Sequence, residues 1–178
     1  AQIQPRESLL ETIARACGQV LDSNSVGFRL VEGEALVLAG TWGDAGEAML
    51  TPRLKIGESL SGLVAATGAP LVVEDAAEDP RNLAAHRDAL RRLGYRCWLG
   101  VPIKLGENVV GVLSIRTRRE GGFSKEDQAI AAAFASQAST ALENARLFQE
   151  VQDAHTEVSR AKNELIQAQK MEAIGRLA

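Results

Sequence analysis

The run from Ser124 to Ala178 contains no proline, and its only glycine is Gly175, so almost nothing in it interrupts a helix. At 1.5 Å per residue such a helix spans about 80 Å, more than the core of the remaining chain can cover. The sequence therefore predicts a globular domain, residues 5–148, and a helical extension, residues 149–178. From Leu147 onward, apolar and small residues recur at steps of four and three: Leu147, Val151, Ala154, Val158, Ala161, Leu165 and Ala168. With Val151, Val158 and Leu165 at a positions and Leu147, Ala154, Ala161 and Ala168 at d positions, this is a coiled-coil seam of about three heptads. Alanine at d buries little area, so the seam is weak by itself and relies on dimerisation through the preceding domain. After Ala168 the apolar set shifts to Met171, Ile174 and Leu177, a stutter that changes the local winding.

Charge excludes one large class of partner. A net charge of −3 and a pI near 5.5 argue against nucleic acid as the main partner, since phosphate neutralisation needs a basic face, and nucleic acid is not expected. The densest apolar run, Ala129–Ala135, is far shorter than the roughly 20 residues of a membrane span. No membrane segment or signal peptide is expected in this fragment, and a cytoplasmic location follows as the expectation. Cys17 and Cys97 lack metal-type spacing and read as reduced, buried packing residues.

Along the chain, Pro5-Arg6-Glu7-Ser8 opens a helix with an apolar stripe through Leu9, Leu10, Ile13, Ala16, Cys17, Val20 and Leu21. Strands Val26–Val31 and Ala35–Trp42 form a hairpin across Glu32-Gly33-Glu34. Gly43–Pro52 reads as loop, Leu60–Thr67 as a short helix ended by Gly68, and Leu71–Val73 as a brief strand. An acidic loop, Glu74–Pro80, precedes a helix over Arg81–Leu93. Tyr95–Leu105 and Val109–Arg118 form a long hairpin whose second strand is apolar on both alternating sets, hence central and covered on both faces. The fold class is α+β: a mixed, mainly antiparallel sheet of five or six strands with helices on both faces, followed by the long coiled-coil helix.

Five separate stretches carry a family resemblance. Ile56-Gly57-Glu58-Ser59-Leu60-Ser61-Gly62, Gly94-Tyr95-Arg96-Cys97-Trp98-Leu99-Gly100-Val101-Pro102-Ile103, Gly111-Val112-Leu113-Ser114-Ile115 and Gly122-Phe123-Ser124-Lys125-Glu126-Asp127, closed by Ala141-Leu142-Glu143-Asn144-Ala145, resemble the GAF domain, a small-molecule sensing module. The resemblance covers residues 5–148 and implies a pocket between one sheet face and the region from about Thr51 to Trp98. It does not specify a ligand, so the cofactor stays unknown. The cyclic-nucleotide signature of the family keeps only Phe123 and Asp127 among Thr117, Arg118, Phe123, Asp127 and Gln128, which disfavours cyclic GMP. Cys97, followed by Trp98 inside a strand, disfavours a bilin. Haem-binding members carry a histidine before the Leu-Gly-Val-Pro strand. His86 lies in that segment on a longer, helical spacer, so haem stays open.

The closing residues Lys170-Met171-Glu172-Ala173-Ile174-Gly175-Arg176-Leu177-Ala178 resemble the start of the dimerisation and phosphotransfer helix of sensor histidine kinases. The resemblance implies the sensory part of a two-component kinase, cut before its phosphoacceptor histidine. Its expected partners are an identical, parallel chain, a small molecule, and, in the full-length system, a kinase catalytic region and a response regulator. No enzymatic activity is expected of this fragment. Two alternatives stand beside it: a ligand-free dimerisation spacer, and a GAF-type methionine sulfoxide reductase, for which the two cysteines lack the required arrangement.

The candidate ligand-binding residues are Trp42, Asp75, His86, Arg91, Tyr95 and Trp98. His86 falls on the apolar stripe of its helix with Leu83, Leu90 and Leu93, so it should face the sheet. Trp42, Tyr95 and Trp98 are large rings at strand ends. Arg81, Arg87, Arg91, Arg92 and Arg96 could bind an anion at a pocket mouth, or form a solvated face balanced by the acidic loop containing Asp75 and by an Asp88–Arg92 pair.

Overall fold

The computed structural model describes residues 6–44 and 51–178, with side chains from Leu9 onward. Pro5, and residues 45–50 of the expected Gly43–Pro52 loop, lie outside the described residues. Ten elements follow in order: α1 (Arg6–Val20), β1 (Ser25–Glu32), β2 (Ala35–Gly43), β3 (Arg53–Lys55), α2 (Ser59–Thr67), β4 (Leu71–Val73), α3 (Ala84–Leu93), β5 (Cys97–Leu105), β6 (Asn108–Thr117) and α4 (Lys125–Leu177).

The strands form one six-stranded sheet in the order β3-β2-β1-β6-β5-β4, and every neighbouring pair is antiparallel. β6 is central, as its two apolar sets require. Its alternation divides the core: Val112, Ser114 and Arg116 point to one face, Leu113 and Ile115 to the other. The first face meets α2 and α3 in a cluster of Leu36, Leu54, Leu60, Val64, Ala89, Leu90, Tyr95, Trp98 and Val112. Fully burying each large apolar side chain contributes roughly 1.5–3 kcal/mol. α1 lies against β1 and β2, burying Leu10, Ile13, Ala14 and Cys17.

Three details differ from the sequence reading. β3 is a strand of three residues in which only Leu54 is buried, too short to show a period. α3 starts at Ala84 rather than Arg81, because the preceding turn uses the side chains that would have continued the helix. The Asp79 carboxylate accepts from the backbone N–H and guanidinium of Arg81, while Asn82 donates to the Ala76 carbonyl and accepts from the N–H of Leu83. Tyr95 and Arg96 precede β5 instead of opening it.

α4 starts with a reciprocal cap. The Ser124 N–H donates to Asp127 Oδ2 at 2.9 Å and the Asp127 N–H to Ser124 Oγ at 3.1 Å, satisfying two donors of the first turn. Ala131, Ala135 and Ala138 of its first part are buried, and the Ser139 hydroxyl donates to the Lys104 carbonyl. The compact sheet unit closes at Ala141, and Leu142–Ala178 is a unit of its own. In that second unit Val151, Val158, Leu165 and Met171 are about 60–70% exposed, flanked by ion pairs of Arg146 with Glu143 and Glu150 and of Arg160 with Glu164. Among the described residues no helix is long and apolar enough to cross a membrane.

Candidate functional site

Two openings in the sheet unit carry polar chemistry. The larger, about 450 Å³, is a cleft beside Glu74, Asp75, Arg96, Cys97 and Arg119–Gly122. Both of its arginines are already paired: Arg96 lies 3.8 Å from Asp75, and Arg119 pairs with Asp127 at 2.8 Å. The Cys97 thiol donates to the Glu74 carbonyl at 3.3 Å, and burial pushes its pKa up. With both guanidinium groups paired at the surface, where water screens charge, the cleft holds an anion weakly.

The smaller cavity, about 10 Å³, lies on the α2–α3 face of the sheet and is lined by Arg29, Leu54, Ser59, Leu60, Ser61, Asn82, His86, Trp98 and Arg116. Its distinctive feature is two guanidinium groups inside the core: Arg29 is 4% exposed and Arg116 is 5% exposed. Both come from central strands. Arg29 is opposite Val112, and Arg116 stands between Ser25 of β1 and Trp98 of β5. Gly27, between Ser25 and Arg29, leaves the room: a Cβ there would meet Ser114 Oγ at 3.3 Å and Arg116 Nη1 at 3.8 Å.

Arg29 Nη1 donates to the Thr51 carbonyl at 2.8 Å. Arg116 donates from Nη1 to Ser25 Oγ and from Nη2 to Ser114 Oγ, both at 3.2 Å, while its buried Nε has no hydrogen-bond partner among the described residues. Burial lowers both guanidinium pKa values to about 10, and the positive charge of Arg29 adds to the effect on Arg116. At neutral pH both stay cationic. Removing such a charge from water costs several kcal/mol unless an anion offsets it.

The first turn of α2 completes the wall. Ser59 adopts φ 66°, a conformation few non-glycine residues accept, and its Oγ accepts from the Gly62 N–H at 3.2 Å. Gly62 is required here, because a Cβ would lie 2.6 Å from the Lys55 carbonyl oxygen. The Ile56–Gly62 motif thus brings a helix N-terminus, with its partial positive charge, to the same cavity as the arginines.

Of the residues expected to bind ligand, the cavity gathers His86 and Trp98. Trp42 does not belong with them. Its register opposite Val26 puts it on the other face, where its ring lies against Gly18 of α1. Arg91 is spent at the surface on Glu78 at 2.7 Å and Asp88 at 2.8 Å, so the expected Asp88–Arg92 pair is an Asp88–Arg91 pair. Asp75 belongs to the larger cleft. Tyr95 is buried, its hydroxyl donating to the Asp44 carbonyl and its ring 4.7 Å beneath the Arg118 guanidinium. Burial raises its pKa and Arg118 opposes that. The sequence reading missed Arg29, Arg116, Ser59, Ser61 and Asn82. The signal available was a lone charge inside each of two apolar strands, Val26-Gly27-Phe28-Arg29-Leu30 and Val112-Leu113-Ser114-Ile115-Arg116.

Haem does not fit this site. His86 is buried among Arg29, Arg116 and Trp98 around about 10 Å³ of space, which holds one water-sized group at most. The cyclic-nucleotide signature positions lie elsewhere: Arg118 pairs with Asp44 and Asp127 with Arg119.

The profile of the GAF domain matches residues 5–142, most of the chain. The chain belongs to the GAF domain family. A probable 3′,5′-cyclic phosphodiesterase of Caenorhabditis elegans, pde-5, is 31% identical over 101 residues, which are 56% of this chain and 14% of that protein. The chain therefore spans about a seventh of that relative. Among solved structures, the GAF domain from a phosphoenolpyruvate-protein phosphotransferase of Coxiella burnetii superposes with TM-score 0.72 at 24% identity, covering 83% of this chain and 88% of that one. Free methionine-R-sulfoxide reductase of Neisseria meningitidis, in complex with its substrate, superposes with TM-score 0.67 at 23% identity, covering 80% and 81%. At these identities the likeness is one of fold.

Proposed function

We propose that this GAF domain is the cytoplasmic sensory, regulatory module of a sensor histidine kinase, and that it binds a small molecule and relays occupancy through a parallel, dimeric coiled coil. The observation that carries the relay is α4. Along Leu142–Ala178 an apolar stripe through Leu147, Val151, Val158 and Leu165 stands exposed at heptad spacing, and a single copy leaves it in water. The alanines at d permit close approach of a second helix, and the shift of register after Ala168 supplies two packings of similar energy for a ligand to bias. The Lys170–Ala178 segment, with its likeness to the phosphotransfer helix, supports the kinase assignment. Burial pushes the Cys17 thiol up to about 12 and raises that of Cys97 as well. Thiolate chemistry of the reductase kind is therefore disfavoured, in keeping with a non-enzymatic fragment.

Light scattering on the chain should give a dimer at micromolar concentration. A monomer would remove the coiled coil. In the full-length kinase, insertions of one to four residues near Met171 should switch autophosphorylation with helical phase, and unchanged activity across the series would refute coupling through the seam. The closed cavity and the buried Trp98 ring favour a second reading, a ligand-free spacer that only dimerises. Native mass spectrometry of freshly purified protein separates the two, since a co-purifying small molecule rules out the spacer.

A further inference from the structure

The heptad register of α4 reaches further back than its apolar stripe. Seven residues before Val151 stands Asn144, at an a position, exposed and within the Leu142–Ala178 unit. Ahead of the stutter it is the one polar residue in an a column that otherwise reads Val151, Val158 and Leu165. Valine at a favours two strands, and a single asparagine in that column fixes register and strand number at a cost in stability. Its amide would lie unsatisfied against an apolar neighbour and finds a hydrogen-bonding mate in the same residue of a second chain.

The flanks of the stripe carry a second, independent signal. The g positions are Glu150, Glu157 and Glu164, and the e positions that follow them are His155, Lys162 and Gln169. Within the helix Arg146 takes Glu150 and Arg160 takes Glu164. Lys162 has no acid at helical spacing, where it meets Val158, Ser159, Leu165 and Ile166. Glu157 has Arg160 at that spacing, but Arg160 lies 3.7 Å from Glu164. In a parallel pair a g residue faces the following e residue of the other chain, which sets Glu157 against Lys162 on each side of the seam. In an antiparallel pair g faces g, and glutamates meet glutamates.

We infer that α4 from Asn144 to Leu165 recognises a second copy of itself in one arrangement only, parallel and in register, with Asn144 paired to its own counterpart and Glu157 to Lys162 of the second copy. Alanine at d brings the backbones close but buries little area, so these polar contacts, and not apolar burial, select the partner. A helix with the same apolar stripe but no amide at that level, or with like charges at those flanks, is refused. The two packings invoked above are thereby confined to the segment after Ala168. This inference rests on the coiled-coil reading and names the residues that choose the partner.

The test uses the whole chain, in which Cys17 and Cys97 are buried and the unaltered protein controls for them. Ala154→Cys and Ala161→Cys, made separately, should each cross-link to their own counterpart under mild oxidation. An antiparallel pair can join at most one of these positions and a staggered pair neither, so cross-linking at one or none overturns the inference. Glu157→Lys and Lys162→Glu chains, co-expressed with an affinity tag on one, should form mixed dimers about tenfold above the statistical share, and a statistical mixture overturns the charge selection. Asn144→Val should raise Tm while light scattering shows species larger than a dimer or Ala154→Cys cross-linking falls. An Asn144→Val protein that stays dimeric with full cross-linking overturns the role of the amide. A monomeric parent would remove the coiled coil and this inference together, whereas a dimer that fails the cross-linking removes the inference alone.

Discussion

Two groups of arginines divide this protein. Around α3, Arg81, Arg91 and Arg96 stand close in sequence and at the surface, each with a carboxylate from the Glu74–Asp88 region. On β1 and β6, Arg29 and Arg116 are 87 positions apart in sequence (116 − 29), inside the core, and Arg116 has no carboxylate against it among the described residues. The dense cluster looks like an anion site and is a neutralised surface. The separated pair looks like nothing in particular and is the concentrated charge. Water screens the first set, whereas low local polarity amplifies the second.

The sharpest way to break this contrast is to uncover the buried pair. Trp98→Ala removes the ring that sits across the strand from Arg116 and should cost about 3–5 kcal/mol in urea unfolding. A loss below 1 kcal/mol would show that the cavity wall is not part of the core. The next largest effect concerns the other face. Gly18→Ala ordinarily stabilises a helix by about 0.5–1 kcal/mol, but here the new Cβ would fall 2.1 Å from the Trp42 ring. A net destabilisation of about 1–3 kcal/mol is expected, and a gain would return Trp42 to the list of candidate ligand contacts.

Asp127 lies between the two extremes of burial. Its partial burial pushes the carboxyl up, but hydrogen bonds from Ser124 and the Arg119 guanidinium together outweigh this and hold it below the ordinary carboxylate range. The folded pKa lies below the unfolded one, so the contribution is complete above pH of about 4 and is lost as pH falls through the folded value. Asp127→Asn should cost about 1 kcal/mol at pH 7, and the difference between variant and parent should close in acid. A constant difference down to low pH would mean that charge plays no part. The smallest effect belongs to the surface set. Arg91→Ala should change stability by less than about 1 kcal/mol in urea unfolding, and a larger loss would show that its pairs with Glu78 and Asp88 are more than a screened surface.

The legible part of the fold was its periodicity. Strand alternation in Val109–Arg118 placed β6 at the centre, and the uninterrupted run after Ser124 predicted α4. The illegible parts were local exceptions. β3 exposes two of its three residues, and the start of α3 moved because Asp79 and Asn82 hydrogen-bond the backbone into a turn. At the cavity, the helical stripe predicted the burial of His86, and Trp98 lines the same wall. The sequence reading misplaced Trp42, because register across β1 and β2 decides which face a strand residue takes.

By itself, the sequence determined every element but β3, their order and the family, since hydrophobic spacing, glycine turns and helix caps are local and accumulate over many residues. It also set the heptad stripe on α4. Only the tertiary structure decided which charges lose their water. Arg29 and Arg116 line one cavity because two strands distant in sequence lie antiparallel in one register, with Gly27 between them and the first turn of α2 above. Desolvation belongs to the assembled core and to no residue alone, so a lone charge inside an apolar strand could mark each arginine but not show that the two meet.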